Sequence, residues 1–271
     1  MPTDPAATPA AVAATLAAIR ARAPLIHNIT NFVVTNSTAN ALLALGASPA
    51  MVEGAEEVAV FAARADALVI NLGTMSAPRA AAIRLAVAGA RDAGVPWVLD
   101  PVAAGAIPQR TALARGLLMA CPAVVRGNGS EIMALAGTGA AGRGVDSTAG
   151  AEAGLAAARQ LAAEAGVIVA VTGAVDYVTD GRRTIALHNG HPMMTRVTGL
   201  GCTATALIGA CLAVTRDPLA AAVHGLALLG VAGEIAAARA HGPGSLQMEI
   251  LDALYALDAD TLARTARMGG A

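Results

Sequence analysis

Residues 67–100 read ALVINLGTMSAPRAAAIRLAVAGARDAGVPWVLD, and this stretch decides the fold class. An apolar run, Ala67–Leu72, is followed by the helix-like Ala77–Ala93, and a second apolar run, Pro96–Leu99, follows in turn. Strand, helix, strand over so short a length calls for a right-handed crossover and parallel pairing. The pattern repeats along the chain. Strand-like runs lie at Pro24–Ile29, Ser48–Val52, Ala123–Val125 and Val167–Thr172. Helix-like segments lie near Thr8–Arg22, Thr35–Leu45, Glu56–Ala63, Gln109–Ala120, Ala151–Ala165, Cys202–Thr215, Pro218–Ala240 and Ser245–Leu257. The alternation predicts a mostly parallel central sheet with helices on both faces, an α/β architecture in three layers. Two further runs, Asp176–Thr179 and Arg183–His188, flank Asp180-Gly181, a hairpin signal. The sheet should therefore gain antiparallel strands late in the chain.

With 271 residues and about 150 residues per domain as a guide, one large domain or two small ones are possible. No stretch reads as a linker, the Gly-rich Gly137–Gly144 being short, so one domain spanning 1–271 is expected, with 1–9 as a loose tail. Hydrophobic residues make up 56%, aromatic residues 2% and charged residues 14%, the pattern of an Ala-padded, helix-rich globule.

Charge and composition exclude several functions. The net charge is −1, with no basic excess to neutralise a phosphate backbone, and the few aromatics give bases little to stack on. Nucleic acid is not an expected partner. All 18 basic residues of the Lys+Arg class are Arg. Without lysine there is no Walker P-loop, no protein-kinase ATP site, no Schiff-base enzyme and no Ser-Lys hydrolase. The cysteines, Cys121, Cys202 and Cys211, are odd in number and form no CxxC, which suits free thiols in a reducing compartment. Met1–Pro9 carries Pro and Asp where a secretory leader would be basic and then apolar. The uncharged stretches Ala23–Val52 and Val197–Thr215 are broken by polar residues or turn-forming glycines, so no membrane span is expected. A cytoplasmic location follows as an expectation.

In open parallel sheets ligands bind beyond the carboxyl ends of the strands. His27-Asn28, Asn71, Asp100, Arg126-Gly127-Asn128 and Thr172-Gly173 each end or follow an apolar run. Thr198-Gly199-Leu200-Gly201-Cys202 places two glycines before a long uncharged helix, an arrangement that can turn backbone N–H groups toward an anion. A plain glycine turn has the same spacing. Cys202, in the first helical turn, is expected to have a lowered thiol pKa and could be a nucleophile, a weak base or a small packed residue. As a nucleophile it would need His27 and Asn28 nearby, so a Cys-dependent hydrolase stays open. Asp100 and Glu131 could hold hydrated Mg²⁺ beside a phosphate or form a glycosidase acid/base pair, for which the few aromatics give no sugar-stacking platform, and Glu131 could instead be a helix N-terminal acid. Arg126 suits a phosphate or a structural ion pair.

Other signals carry less. Gly137–Gly142 matches GxGxxG but lacks a preceding strand. His188 and His191 lack an evident third metal ligand, and His224 and His241 sit on helices.

Taken together, these residues resemble the hydroxyethylthiazole kinase family of the ribokinase-like superfamily. The resemblance is carried by Pro24–Asn31, continuing through Thr35-Asn36 and Ala39-Asn40 to Gly46–Met51. Asn71–Thr74, Leu99–Val102, Arg126–Asn128 with Ser130-Glu131, Gly144–Ser147, Val171–Gly173 and the Gly-rich Cys turn follow in the family's order. The family implies a ribokinase-like fold. It implies transfer of the ATP γ-phosphate to the hydroxyl of 4-methyl-5-(2-hydroxyethyl)thiazole in thiamine salvage, with Mg²⁺, in a homotrimer with sites between subunits. By motif, Met51 and Gly199 would contact the thiazole with Asn28 nearby. Arg126 and Thr172 would contact ATP, and Asp100 and Glu131 would serve the Mg²⁺–phosphate region. Cys202 stands where related sugar kinases have Asp, within the turn formed by Gly199 and Gly201. Leu200 departs from the small or hydroxylated residue usual there. A kinase for another small alcohol such as a hydroxymethylpyrimidine, or a nucleotide-binding member without turnover, would share this fold.

Overall fold

The computed structural model describes residues 4–138, 150–215 and 217–271. Helix α1 (Pro9–Arg22) starts where the Thr8 hydroxyl accepts from the Ala11 N–H. Then β1 (Leu25–Ile29), α2 (Thr35–Leu45), β2 (Ser48–Ala50), α3 (Val58–Ala62) and β3 (Ala67–Asn71) alternate, followed by α4 (Ala77–Asp92), β4 (Trp97–Asp100), α5 (Pro108–Leu118), β5 (Val124–Asn128) and α6 (Gly129–Ala136). After α7 (Gly150–Ala165) come β6 (Ile168–Thr172), β7 (Asp176–Thr179), β8 (Thr184–Leu187) and a 3-10 turn over Pro192–Arg196. The chain closes with α8 (Leu200–Leu212), α9 (Pro218–Ala237), α10 (Pro243–Ala256), α11 (Ala259–Thr265) and β9 (Met268–Gly270).

The strands join in the order β2-β1-β3-β4-β5-β6-β7-β8-β9. Pairing is parallel from β2 to β6 and antiparallel from β6 to β9. The Asp-Gly hairpin forms as the sequence predicts. Asp180 Oδ1 accepts from the Arg182 and Arg183 N–H groups at 2.8 and 2.7 Å, closing the turn between β7 and β8. Alternation along each strand splits the core between two faces. Ile26, Val69, Val98, Val124 and Ala170 pack under α8 and α9, with α1, α2 and α10 around them. Leu68, Ile70, Leu99, Val125 and Val169 point the other way, against α3 to α7.

Among the described residues α9 is the one helix long and apolar enough to cross a membrane, yet 89% of its apolar window is buried inside the protein. It is a core helix. Three expectations change. Residues 4–9 are not a loose tail, because Ala6 and Ala7 are buried and His224 Nε2 lies 3.1 Å from the Ala6 carbonyl oxygen. α8 begins at Leu200, two residues before the expected start. α11 and β9 were not anticipated: two of the three residues of β9 are glycines, which carry no strand signal, and its pairing with the edge strand β8 makes it a strand. The motifs Gly137–Gly142 and Gly144–Ser147 lie partly or wholly outside the described residues.

Candidate active site

Parallel register lines up the polar strand ends. Asn71 pairs with Asp100, Leu99 with Val125, and Asn128 with Thr172. Asn71, Asp100, Arg126 and Thr172 each lie two residues beyond an apolar residue of the α8 face, so they continue that face to the rim of the sheet. Here the N-terminus of α8 meets them. Gly199 precedes the helix at φ +83°, and a Cβ there would stand 2.1 Å from Val34 Cγ1. Only glycine fits on both counts. No side chain caps α8 and no acid sits in its first turn, so its leading N–H groups and positive dipole end are left for an anion.

Asp100 lies buried beneath this turn. Its Oδ2 accepts from Asn71 Nδ2 at 2.8 Å and from Thr205 Oγ1 of α8 at 2.8 Å, with Arg126 Nη1 3.9 Å away. Its Oδ1 is buried and has no partner. Burial raises the Asp100 pKa, and the Arg126 charge and the two hydrogen bonds oppose that rise. Arg126 donates through Nη2 to Thr172 Oγ1, while its Nε is buried without an acceptor. Glu131 forms a capping box: Oε2 accepts from the Asn128 N–H and Asn128 Oδ1 from the Glu131 N–H, both at 2.9 Å. Glu131 Oε1 accepts from the Ala103 N–H at 2.9 Å. Burial first, and then the Asp100 charge, raise its pKa.

Among the described residues no group of three or more His, Cys, Asp or Glu is placed to hold a metal ion. A hydrated Mg²⁺ asks less, one or two carboxylates with phosphate oxygens completing the shell. The unpartnered Asp100 Oδ1 fits that demand. Glu131 is committed through both oxygens to backbone N–H groups, the arrangement of a helix N-terminal acid.

Comparison with known proteins decides the lineage. The model of the hydroxyethylthiazole kinase family matches residues 16–260. A curated hydroxyethylthiazole kinase of Granulibacter bethesdensis is 69% identical over 252 residues, covering 93% of this chain and 92% of that one. The chain belongs to the hydroxyethylthiazole kinase family. A solved structure described as the hydroxyethylthiazole kinase protein from Pyrococcus horikoshii superposes with a TM-score of 0.89 at 42% identity, over 96% of this chain and 98% of that chain. A pyridoxal kinase from Staphylococcus aureus, solved with AMP-PCP and pyridoxal, aligns at a TM-score of 0.59 with 19% identity, over 78% of this chain and 87% of that chain. The latter shares the ribokinase-like fold.

In this family member the cysteine departs from its expected chemistry. The Cys202 thiol is pushed up to about 11, chiefly by burial and then by the Asp100 charge, against the hydrogen bonds of Asn71 and Asn31 and the Arg126 charge. Asn31 Nδ2 donates to its sulfur at 3.3 Å. His27 cannot act as its base: it is on the other face of β1, with Nε2 2.7 Å from the Val52 carbonyl oxygen and its ring edge-on to Phe61. The hydrolase reading lacks both a thiolate and a histidine.

Asn28 donates to the Ile26 carbonyl oxygen at 2.9 Å, and its Oδ1 is buried without a partner. Met51 follows β2, half-buried, beside a segment held by the His27–Val52 contact and by Glu53, whose Oε2 is 3.0 Å from Arg79 Nη2. A groove of about 140 Å³ opens next to Gly199, lined by Asn36, Asn40, Thr198, Leu200 and Met248 among others. Met51 does not line it. Leu200 does, so this departure shapes a cavity wall.

Sequence reasoning passed over Asn31, Thr205 and Asp176. Asp176 accepts from the Gly173 N–H at 2.9 Å, and its carboxyl is pushed up to about 6 by burial against the pull of Arg126. Thr205 sits one helical turn beyond Gly201, a spacing that could have marked it once the helix face was known.

Proposed function

We propose that this protein transfers the γ-phosphoryl group of ATP to the hydroxyl of 4-methyl-5-(2-hydroxyethyl)thiazole, as thiamine salvage requires. The observation that carries the reading is the buried Asp100 carboxylate. One of its oxygens is bare, the other accepts from Thr205 of α8, and Arg126, seated on the uncapped first turn of that helix, is 3.9 Å away. Phosphoryl transfer passes through a loose transition state, so positioning and charge stabilisation count for more than a strong base. Arg126 and the first N–H groups of α8 supply fixed positive ends for the transferring phosphoryl oxygens. Thr172 holds the guanidinium toward them. Asp100, with Glu131 behind it, would hold Mg²⁺, which when bound draws negative charge from the phosphates. Cys202 stays a thiol at neutral pH and serves as a spacer near the alcohol, whose proton can pass to a phosphoryl oxygen.

On the acceptor side the reading gives Met51, Gly199 and Asn28 to the thiazole. We further infer a cytoplasmic homotrimer with the sites between subunits. Exposed Phe32, Val33, Leu43 and Met248 support it, since apolar side chains on the surface near a site suit cover by another chain.

The test is ADP release with ATP and Mg²⁺, with and without hydroxyethylthiazole, beside a hydroxymethylpyrimidine control. Turnover with the thiazole alone is the expected result. Turnover with the pyrimidine alone would transfer the reading to another small-alcohol kinase. Sedimentation tests the trimer.

A further inference from the structure

Asn71 ends β3 with its carboxamide buried, and a donor that cannot reverse sets its orientation. The backbone N–H of Gly73 donates to Asn71 Oδ1 at 2.9 Å, and Asn31 Nδ2 donates to the same oxygen at 2.9 Å. The carboxamide oxygen is therefore held toward the turn, and Nδ2 must face Asp100 Oδ2, 2.8 Å away. Thr205 Oγ1 donates to that same Oδ2 from the opposite side, at 2.8 Å. Two donors from two different elements converge on one carboxylate oxygen, and the other oxygen is left bare in a buried place. Buried carboxylate oxygens are normally satisfied, so an arrangement that doubles the donors on one and gives none to the other sets a direction.

We propose that Asn71 is a positioning residue for the phosphoryl transfer: it turns the Asp100 carboxylate so that the protein holds Oδ2 and the reaction receives Oδ1. The proposal rests on the reading of Asp100 as a group of the reaction centre. The Asn71 donor acts on the reaction through Asp100. Asn31 Nδ2 also donates to Cys202 Sγ at 3.3 Å, and the turn containing Asn31 closes against Gly73. A Cβ at Gly73 would stand 2.6 Å from Asn31 Cβ, so the two turns pack with no room for a side chain between the carboxamides.

A double-mutant cycle separates positioning from simple support of the fold. In the parent background Asn71→Ala is expected to lower kcat by roughly ten- to a hundredfold, as small misplacements of reacting groups do, with KM for ATP and for the alcohol little changed. In the Asp100→Ala background the same change should cost less than about threefold more. Asn71→Leu fills the same space but removes the donor to Asp100. It should lose kcat to the same degree when assayed well below its thermal midpoint, which keeps the readout clear of a folding defect. Calorimetric binding of an ATP analogue should be preserved in Asn71→Ala and Asn71→Leu. An equal loss in both backgrounds, or a loss confined to KM, overturns the proposal. Full kcat in Asp100→Ala would sink the reading of Asp100 first, and full kcat in Asn71→Leu alone would sink only the role of Asn71.

Discussion

The Arg126 guanidinium occupies the space that a side chain on Gly201 would need: a Cβ at position 201 would stand 2.6 Å from Arg126 Nη1. The fork that the proposed function assigns to ATP is thus seated directly on the backbone of the first turn of α8. Gly201→Ala should displace it. The expected outcome is a loss in kcat/KM for ATP on the order of a hundredfold. Steady-state kinetics at varied ATP check it, and Arg126→Ala should show a loss at least as large.

Cys202 and Asp100 should separate cleanly. With its thiol pushed up to about 11, Cys202 contributes no thiolate near neutral pH, so Cys202→Ala should lower kcat by less than about tenfold. Asp100→Ala should lower it by about a hundredfold or more, since it removes the carboxylate at the charge-bearing centre. Iodoacetamide followed by peptide mapping gives an independent check. The exposed Cys121 should alkylate quickly and Cys202 slowly, and rapid loss of activity by modification of Cys202 would contradict the assignment.

Gly199 has two reasons to be glycine, a left-handed φ of +83° and the wall formed by Val34. Gly199→Ala is expected to destabilise the fold by roughly 1–3 kcal/mol. The thermal midpoint should fall by several degrees for a chain of this size. Adding Val34→Ala should recover part of the loss, because it removes the clash and leaves the backbone strain.

Asp176 predicts a pH dependence. Its carboxyl pKa is raised to about 6 in the folded state, so the folded chain holds its proton more tightly than the unfolded chain, whose value is near 3.8. The stability linked to this group is fully present below about pH 4 and is lost as pH rises through about 6. Asp176→Asn retains an oxygen for the Gly173 N–H and cannot ionise. Its melting temperature should exceed the parent's at pH 8, and the difference should shrink toward pH 4.5. A constant difference across that range would exclude the linkage.

Much of the fold was legible because it is written in local periodicity. The run Ala67–Asn71 followed by a capped Ala-rich helix and Trp97–Asp100 is a crossover in any setting, and Asp180-Gly181 between two apolar runs is a hairpin. β9 was hidden because Met268-Gly269-Gly270 pairs with β8 without any pattern of its own. The buried N-terminal segment was hidden because Ala6 and Ala7 are packed by distant helices, with His224 on α9 beside the Ala6 carbonyl oxygen. The site was legible as a set of strand-end residues but not as a network. Asn71 read as a polar strand end within a family motif, with no direction for its amide. Its amide acquires a direction from Gly73 and Asn31 on one side and Asp100 on the other.

The sequence by itself determined the layered α/β sheet, the polar residues at its carboxyl rim and the glycine turn before α8. Those features depend on period, turn chemistry and residue type, which travel with the chain. Tertiary structure alone decided what the groups are chemically. The first turn of a helix lowers a thiol pKa in isolation, yet Cys202 is raised because burial and Asp100 meet it there. Likewise only the packing of α8 on the sheet brings Thr205 to Asp100 and leaves one carboxylate oxygen bare. Desolvation and the alignment of donors depend on what surrounds a group in space, and that information exists only once the helices have closed over the sheet.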